Sequence, residues 1–240
     1  MMHELAHRTF LVTGAAQGLG RAIATELATR GATLVLVDRS QAVTESARAL
    51  SREGVRALAL TGDIGEEDDV RGFVAAAERE FGRLDGIVNN AGTDVTKPLS
   101  ELDIAEFDRV LRTNLRGPFL LAKAALPLLA RDGGDIVNIT STAARRAWPN
   151  ASAYHASKWG LLGFSHALHA ELRSRNVRVT AVIAGGMRTP FLLDRFPELD
   201  PSKLQDPADV ARAVALALMQ PRGSTIAEIV VVPPAETSWP

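Results

Sequence analysis

The sequence predicts a single α/β domain: a doubly wound parallel sheet of about seven strands, with helices on both faces. Two observations carry this. Short apolar, β-branched runs alternate with longer amphipathic runs along the whole chain, the pattern of repeated strand–helix–strand units. Gly14, Asp38, Asn89, Ser141 and Gly186 each stand at or just after the end of such an apolar run, where parallel sheets open onto a ligand crevice. At 240 residues the chain can bury one sizeable core, so one domain, 1–240, is expected.

The first strand is Phe10–Val12, followed by Thr13-Gly-Ala-Ala-Gln-Gly-Leu-Gly20 and a helical run from Arg21 to Arg30. Gly31 is a plausible helix stop. Ala32 to Val37 is the second strand and ends at Asp38. Ser40–Glu53 reads as a helix and Val55–Leu60 as a short strand running toward Gly62-Asp63. Glu66–Phe81 is amphipathic, with Val70, Phe73, Val74 and Ala77 on one side. Leu84–Val88 is the fourth strand and leads into Asn89-Asn-Ala-Gly92. One long helix is expected from Ala105 to Ala130, carrying Asn114, with Pro127 bending or ending it. Ile136–Ile139 is the fifth strand, Ala151–Arg173 a helix, and Val177–Ile183 the sixth strand. The segment 190–206 mixes Phe191, Leu192, Leu193 and Phe196 with charges and reads as a mobile lid. Pro207–Gln220 is the last helix and Glu228–Val232 the last strand.

The glycine turn carries the first functional signal. Gly14, Gly18 and Gly20 allow a tight turn and close approach of a pyrophosphate to backbone N–H groups at a helix N-terminus. Asp38, 20 residues after Gly18, can accept hydrogen bonds from an adenosine ribose. Strand, glycine turn, helix, strand and acid together predict a Rossmann-like dinucleotide site. The Asp38 carboxylate would repel a 2′-phosphate and so favours NAD over NADP. Arg39 pulls the other way, since a guanidinium there could pair with that phosphate, and NADP stays possible.

The second signal is Ser141, Tyr154 and Lys158. Tyr154 and Lys158 are four apart on the helix 151–173 and share a face. A phenol is a poor base near neutral pH, and a neighbouring ammonium is expected to lower its pKa toward neutrality. Such a tyrosine can exchange a proton with an alcohol or carbonyl, and a serine hydroxyl can hold the same oxygen. This is acid–base machinery in need of a hydride partner.

Composition narrows the field. Net charge is −1 with no basic block, so neither nucleic acid nor a membrane surface is indicated as partner. The absence of cysteine excludes disulfides, thiol nucleophiles and cysteine metal ligands. His155, His166 and His169 share one helix without supporting carboxylates, and no metal site is read. The first apolar run is far too short to span a membrane, and a cytoplasmic protein is expected.

Taken together, these residues resemble the short-chain dehydrogenase/reductase family from about Thr9 to Val232. The carriers are Thr13-Gly-x-x-x-Gly-x-Gly20, Asn89-Asn-Ala-Gly92, Asn114, Ser141 and Tyr154-x-x-x-Lys158. The resemblance implies an NAD(P)-dependent oxidoreductase interconverting a secondary alcohol and a ketone. Tyr154 would be the general acid or base, Lys158 would lower its pKa and hold the nicotinamide ribose, and Ser141 would orient the substrate oxygen. Asn114 would help hold a water in a proton path. Asp63 would meet adenine with Ile64 beside it, and Thr189 the nicotinamide carboxamide. The cofactor-binding set extends over Gly14, Gln17, Gly18, Leu19, Gly20, Asp38, Arg39, Asn90, Ala91, Gly92, Gly186 and Met187.

Two features depart from the family. Gly185-Gly186 stands where Pro-Gly is usual, so nicotinamide placement is expected to be more mobile. The chain ends Val232-Pro-Pro-Ala-Glu-Thr-Ser-Trp-Pro240, against a carrier-protein substrate. Arg145, Arg146 and Trp148 border the pocket, where an arginine could meet a substrate anion and Trp148 could form an apolar wall. The helix carrying Tyr154 is apolar over much of its circumference and is expected to be buried, in part against another subunit, giving a homodimer or homotetramer. A non-catalytic dinucleotide-binding or regulatory protein of the same fold is the alternative. A nucleotide-sugar epimerase is disfavoured by the glycine spacing and the short C-terminal region.

Overall fold

The computed structural model describes residues 4–236. Seven strands form one wholly parallel sheet: β1 (Thr9–Thr13), β2 (Thr33–Asp38), β3 (Ala57–Thr61), β4 (Gly86–Asn89), β5 (Asp135–Ile139), β6 (Arg178–Ala184) and β7 (Glu228–Val231). Their order is β3-β2-β1-β4-β5-β6-β7. The chain winds outward from β1 to β3, then crosses back to set β4 beside β1, with Phe10 opposite Gly86 and Val12 opposite Val88. A crevice opens at the carboxyl ends of β1 and β4, where the winding reverses.

The described residues form eight α-helices around the sheet: α1 (Gly18–Thr29), α2 (Val43–Arg52), α3 (Glu67–Phe81), α4 (Ile104–Leu111), α5 (Gly117–Asp132), α6 (Ser152–Leu172), α7 (Pro190–Leu193) and α8 (Pro207–Leu218). Alternate strand residues face opposite layers. Phe10, Val12, Leu34, Leu36 and Val182 pack with Ile23, Leu27, Val43, Leu50 and Val214 of α1, α2 and α8. Leu11, Val35, Val37, Ile136 and Val179 pack with Phe73, Leu121, Leu129 and Leu172 of α3, α5 and α6. Both faces of the central strands are therefore dry, which explains why they read as continuous apolar runs rather than alternating ones.

The helix expected from Ala105 to Ala130 is found as one unbroken helical run over 104–132. α4 runs into α5 through a π turn over Arg112–Arg116, and Pro127 lies inside α5 without ending it. Pro118 stands at the junction of the π turn and α5. Within one chain α6 is buried over only part of its surface. Ala156, Gly163 and Ala167 are exposed, and Trp159 is 51% exposed.

A buried polar chain sets the height of α6 on the sheet. Asn89 Nδ2 of β4 donates to Asn138 Oδ1 of β5 at 2.8 Å, and Asn138 Nδ2 donates to Ser165 Oγ of α6 at 2.8 Å. At the amino ends of the strands, Asp135 accepts from Arg8 and Arg178, and Arg178 Nη1 also donates to the carbonyls of Gln220 and Pro221. Ion pairing thus secures the end of the sheet opposite the crevice. No helix among the described residues is long and apolar enough to cross a membrane.

Candidate active site

A cavity of about 630 Å³ follows the carboxyl edge of the sheet from Asp38 to the segment 190–199. Its floor is the glycine turn after β1. Gly14 and Gly18 have φ of +68° and +55°, values that favour glycine. A Cβ on Gly20 would lie 2.1 Å from the Gly14 carbonyl oxygen, so the start of α1 stays bare and close to the turn. Gln17, Gly18 and Leu19 line the cavity there.

The neighbouring Asn90 and Ala91 do a bracing job that the sequence did not reveal. Thr13 Oγ1 accepts from the backbone N–H of both, at 3.0 Å each. Asn90 Nδ2 donates to the Thr13 carbonyl at 2.9 Å. The side chain of Asn90 is therefore spent on clamping β4 to the glycine turn, while its edge, Ala91 and Gly92 still line the cavity.

Asp38 at the end of β2 accepts from Ala16 N at 3.0 Å and Ser40 N at 2.9 Å. Two backbone donors fix the carboxylate on the cavity wall, with exposed Arg39 beside it. Asp63 and Ile64 line the same end. Asp63 accepts from Gly65 N at 2.7 Å and pairs with Arg112. The far wall carries Gly186, Met187 and Thr189, with Thr189 buried and its N–H bonded to the Met187 carbonyl at 2.8 Å.

Ser141, Tyr154 and Lys158 meet in the same cavity. The Tyr154 phenol is hydrogen-bonded to Ser141, which also caps the turn 142–144 by accepting from Ala143 N at 3.2 Å. Lys158 Nζ donates to the Ile139 carbonyl at 2.9 Å and lies 5.6 Å from the Tyr154 ring centroid. The expected lowering of the Tyr154 pKa by Lys158 is not found. Burial pushes the phenol up to about 12, partly offset by the Ser141 hydrogen bond. The charges acting on it are Asp94, which raises it, and Arg195, which lowers it. Burial in turn pulls the Lys158 ammonium down to about 8.

Asn114 sits in the π turn and is fully buried. Its side chain accepts from Thr93 N at 2.8 Å and donates to the Thr93 carbonyl at 2.8 Å and to Ser157 Oγ at 3.0 Å. It joins the segment after β4 to the helix bearing Tyr154. A π turn of this kind is frequent at functional sites.

The segment between Ser141 and Tyr154 divides. Trp148 lines the cavity. Arg145 and Arg146 do not; Arg145 reaches away to Glu228 Oε2 at 2.6 Å. That carboxylate, distant in sequence, competes for the guanidinium expected at the substrate. His155 was missed as a positioning residue. Its Nδ1 meets the Ala143 carbonyl at 2.9 Å, while the Trp148 backbone N–H donates to its Nε2 at 3.2 Å. This requires the neutral ring with its proton on Nδ1, and the two rings stack edge-on at 4.4 Å. No group of three or more His, Cys, Asp or Glu able to hold a metal exists among the described residues.

The expected looseness around Gly185 is also not found. Gly185 N donates to the Val231 carbonyl at 2.9 Å, and Gly186 N donates to Glu236 Oε2 at 3.2 Å. A Cβ on Gly185 would lie 2.9 Å from both Glu236 Oε2 and Pro233 Cδ. The glycine and the unusual C-terminal segment are one fitted feature: the tail occupies the space that a proline ring would need.

Residues 8–199 match the family described as short chain dehydrogenase. The chain belongs to this family. Levodione reductase of Leifsonia aquatica is 35% identical over 207 residues, 84% of this chain and 78% of that protein. Cis-4-hydroxycyclohexanecarboxylate dehydrogenase of Sinomonas cyclohexanicum is 34% identical, covering 97% of both chains. An alcohol dehydrogenase from the archaeon Thermococcus sibiricus, solved with 5-hydroxy-NADP, superimposes with a TM-score of 0.88 at 28% identity, covering 95% of this chain and 97% of that one. As a short-chain dehydrogenase, this protein is an oxidoreductase that uses a nicotinamide dinucleotide and transfers hydride between an alcohol and a carbonyl compound.

Proposed function

We propose that the protein is a single-domain, NAD-preferring dehydrogenase that interconverts a secondary alcohol and a ketone, with Tyr154 as general acid and base. The observation that carries this reading is the meeting of Ser141, Tyr154 and Lys158 in the same cavity as the glycine turn and Asp38. The cradle fits the cofactor: the bare start of α1 would take the pyrophosphate, Asp38 the adenosine ribose, and Asp63 and Ile64 the adenine edge. Lys158 would hold the nicotinamide ribose and Thr189 the carboxamide. When bound, the nicotinamide supplies the hydride acceptor or donor.

The chain's own residues handle the proton. In oxidation, Ser141 positions the alcohol oxygen and Tyr154 Oη takes its proton as the C–H hydride leaves. In reduction the same phenol returns the proton to the carbonyl oxygen. A pKa pushed up to about 12 keeps the phenol in the protonated form from which the acid role starts. For the base role, the positive charge of oxidised nicotinamide favours the phenolate. The Thermococcus sibiricus relative was solved with an NADP derivative. Asp38 is what points the other way here, because its carboxylate is fixed by two backbone donors and would repel a 2′-phosphate.

The substrate side is walled by Trp148, Phe191, Leu192 and Phe196. A cyclic ketone or alcohol of modest size suits these walls, as the names of the reductase from L. aquatica and the dehydrogenase from S. cyclohexanicum also suggest. The exposed Phe119 and Trp159 lead us to propose a homodimer or homotetramer built on α5 and α6.

Titration of tryptophan emission with NADH and NADPH tests the cofactor reading. NADH is expected to bind at least about tenfold more tightly, and Asp38→Ser to narrow that gap; tighter NADPH binding would overturn the preference. Tyr154→Phe is expected to lower turnover of cyclohexanol by about 100-fold or more while leaving NADH binding intact. Unchanged turnover would return the protein to a binding or regulatory role.

A further inference from the structure

Asp94 is an unusual residue to find beside a general acid. It follows Asn89-Asn-Ala-Gly92 by two positions, and its side chain is only 7% exposed. One oxygen accepts from Val95 N at 2.6 Å, and the other is ion-paired to Arg195. Arg195 comes from the segment 190–206, which closes over the cavity. Its guanidinium lies 4.2 Å over the Phe191 ring and 5.4 Å over Phe196, and its Nε donates to the Phe191 carbonyl at 2.7 Å. Phe191 in turn leans on Tyr154, with ring centroids 6.1 Å apart. A single contact thus joins the loop after β4, the lid and the phenol.

We propose that Asp94 and Arg195 are positioning residues that couple closure of the lid to ionisation of Tyr154. This rests on Tyr154 being the proton carrier, as proposed above. With the lid down, Arg195 covers the Asp94 carboxylate and the phenol faces a neutral pair. With the lid up, Arg195 leaves with Phe191, and the Asp94 carboxylate acts on the phenol without its counter-charge. A negative charge there opposes the phenolate, so Tyr154 is held protonated until the lid closes. Proton abstraction is then confined to the closed, dehydrated cavity. Both charges already act in this sense, Asp94 raising the Tyr154 pKa and Arg195 lowering it.

The other charged groups around the phenol do not replace this pair. Lys158, on the same helix, is tied to the Ile139 carbonyl. Arg109 of α4 lines the cavity but donates to Thr93 Oγ1 at 2.6 Å. Glu236 lines the opposite wall, against Gly186 N. His155, next in sequence, faces Ala143 and Trp148.

Tyr154 is the only tyrosine in the chain, so its ionisation can be followed directly by the ultraviolet tyrosinate band, without substrate. The folded protein is titrated upward in pH, with circular dichroism confirming the fold at each point. Asp94→Asn is expected to lower the tyrosinate midpoint by about one pH unit. Arg195→Met is expected to raise it, and the double variant to fall between the two. An unchanged midpoint in Asp94→Asn, or a fall in Arg195→Met, overturns the proposal.

The pH profile of kcat for cyclohexanol oxidation gives the second readout. Its ascending limb is expected to move to higher pH in Arg195→Met and to return in Arg195→Lys. Reduced kcat with an unmoved limb means a structural latch only, and overturns the coupling. If cyclohexanol is not oxidised at all, the substrate reading fails, while the tyrosinate titration still decides the coupling.

Discussion

Lys158 illustrates what one residue costs the fold for the sake of the site. Its side chain is 4% exposed and holds a single hydrogen bond, to the Ile139 carbonyl. Burial lowers its pKa from 10.5 to about 8, so the unfolded chain binds the proton more tightly than the folded one. Between about pH 8 and 10.5 the unfolded state carries more protons, and stability therefore rises with pH across that window. Tyr154 works in the opposite sense. Its raised pKa makes the folded state hold its proton longer, and stability falls from pH 10.0 toward 12. Lys158→Met removes the buried charge while keeping the side chain's length. At pH 7 it is expected to stabilise the protein by about 1–3 kcal/mol and to abolish the rise above pH 8, while lowering turnover at least about 100-fold. Urea unfolding at pH 7 and pH 9.5 measures the first two. A less stable variant at pH 7 would show that the Ile139 hydrogen bond outweighs the desolvation of the ammonium.

Among the elements, the loop after β6 and the C-terminal segment belong together. Gly185 looks permissive when the sequence is compared with a Pro-Gly pattern, yet its backbone is held by Val231 and its missing Cβ is occupied by the tail. The flexible end of Glu236 could shift, but the Pro233 ring at 2.9 Å has little freedom. Gly185→Ala is therefore expected to destabilise the protein by about 1–3 kcal/mol, the usual cost of overpacking. Removing residues 233–240 should recover most of that loss, because the two changes share one contact. Chemical denaturation of the two single variants and the combined one measures the coupling. Additive effects would mean that tail and loop do not meet in solution. Local pattern had pointed to the wrong property here, since conformational freedom of a glycine is a local quantity and its suppression comes from residues about fifty positions away.

At the scale of the whole molecule, that distinction separates what the sequence displayed from what it concealed. The positions of the strands and the convergence of Gly14, Asp38, Ser141, Tyr154 and Lys158 were legible because each depends on a short pattern: an apolar run, a glycine spacing, an i,i+4 pair on a helix. The Asp94–Arg195 pair, the Arg145–Glu228 pair and the π turn around Asn114 join or answer to residues far apart in the chain, and no local period marks them. The outward face of α5 and α6 lies between these cases. The apolar circumference of α6 was plain in the sequence, but one chain leaves much of it uncovered: Trp159 is 51% exposed, and Phe119 of the adjoining α5 is 44% exposed. Beside Phe119 a shallow groove runs over Leu111, Leu115 and Phe164. Exposed aromatic side chains around such a groove suit the proposed self-association, in which a second copy of the chain would present the same face in return, as a two-fold contact requires. The helix carrying Tyr154 would then be braced from both sides, by Asn138 through Ser165 on the sheet side and by the partner on the other. Sedimentation equilibrium is expected to give a dimer or tetramer for the wild-type protein and a monomer for the double variant Phe119→Glu, Trp159→Glu. Because α6 carries Tyr154 and Lys158, the monomer should also lose kcat more than NADH affinity. A wild-type protein that sediments as a monomer at micromolar concentration would sink the interface, and α6 would have to be held by the sheet alone.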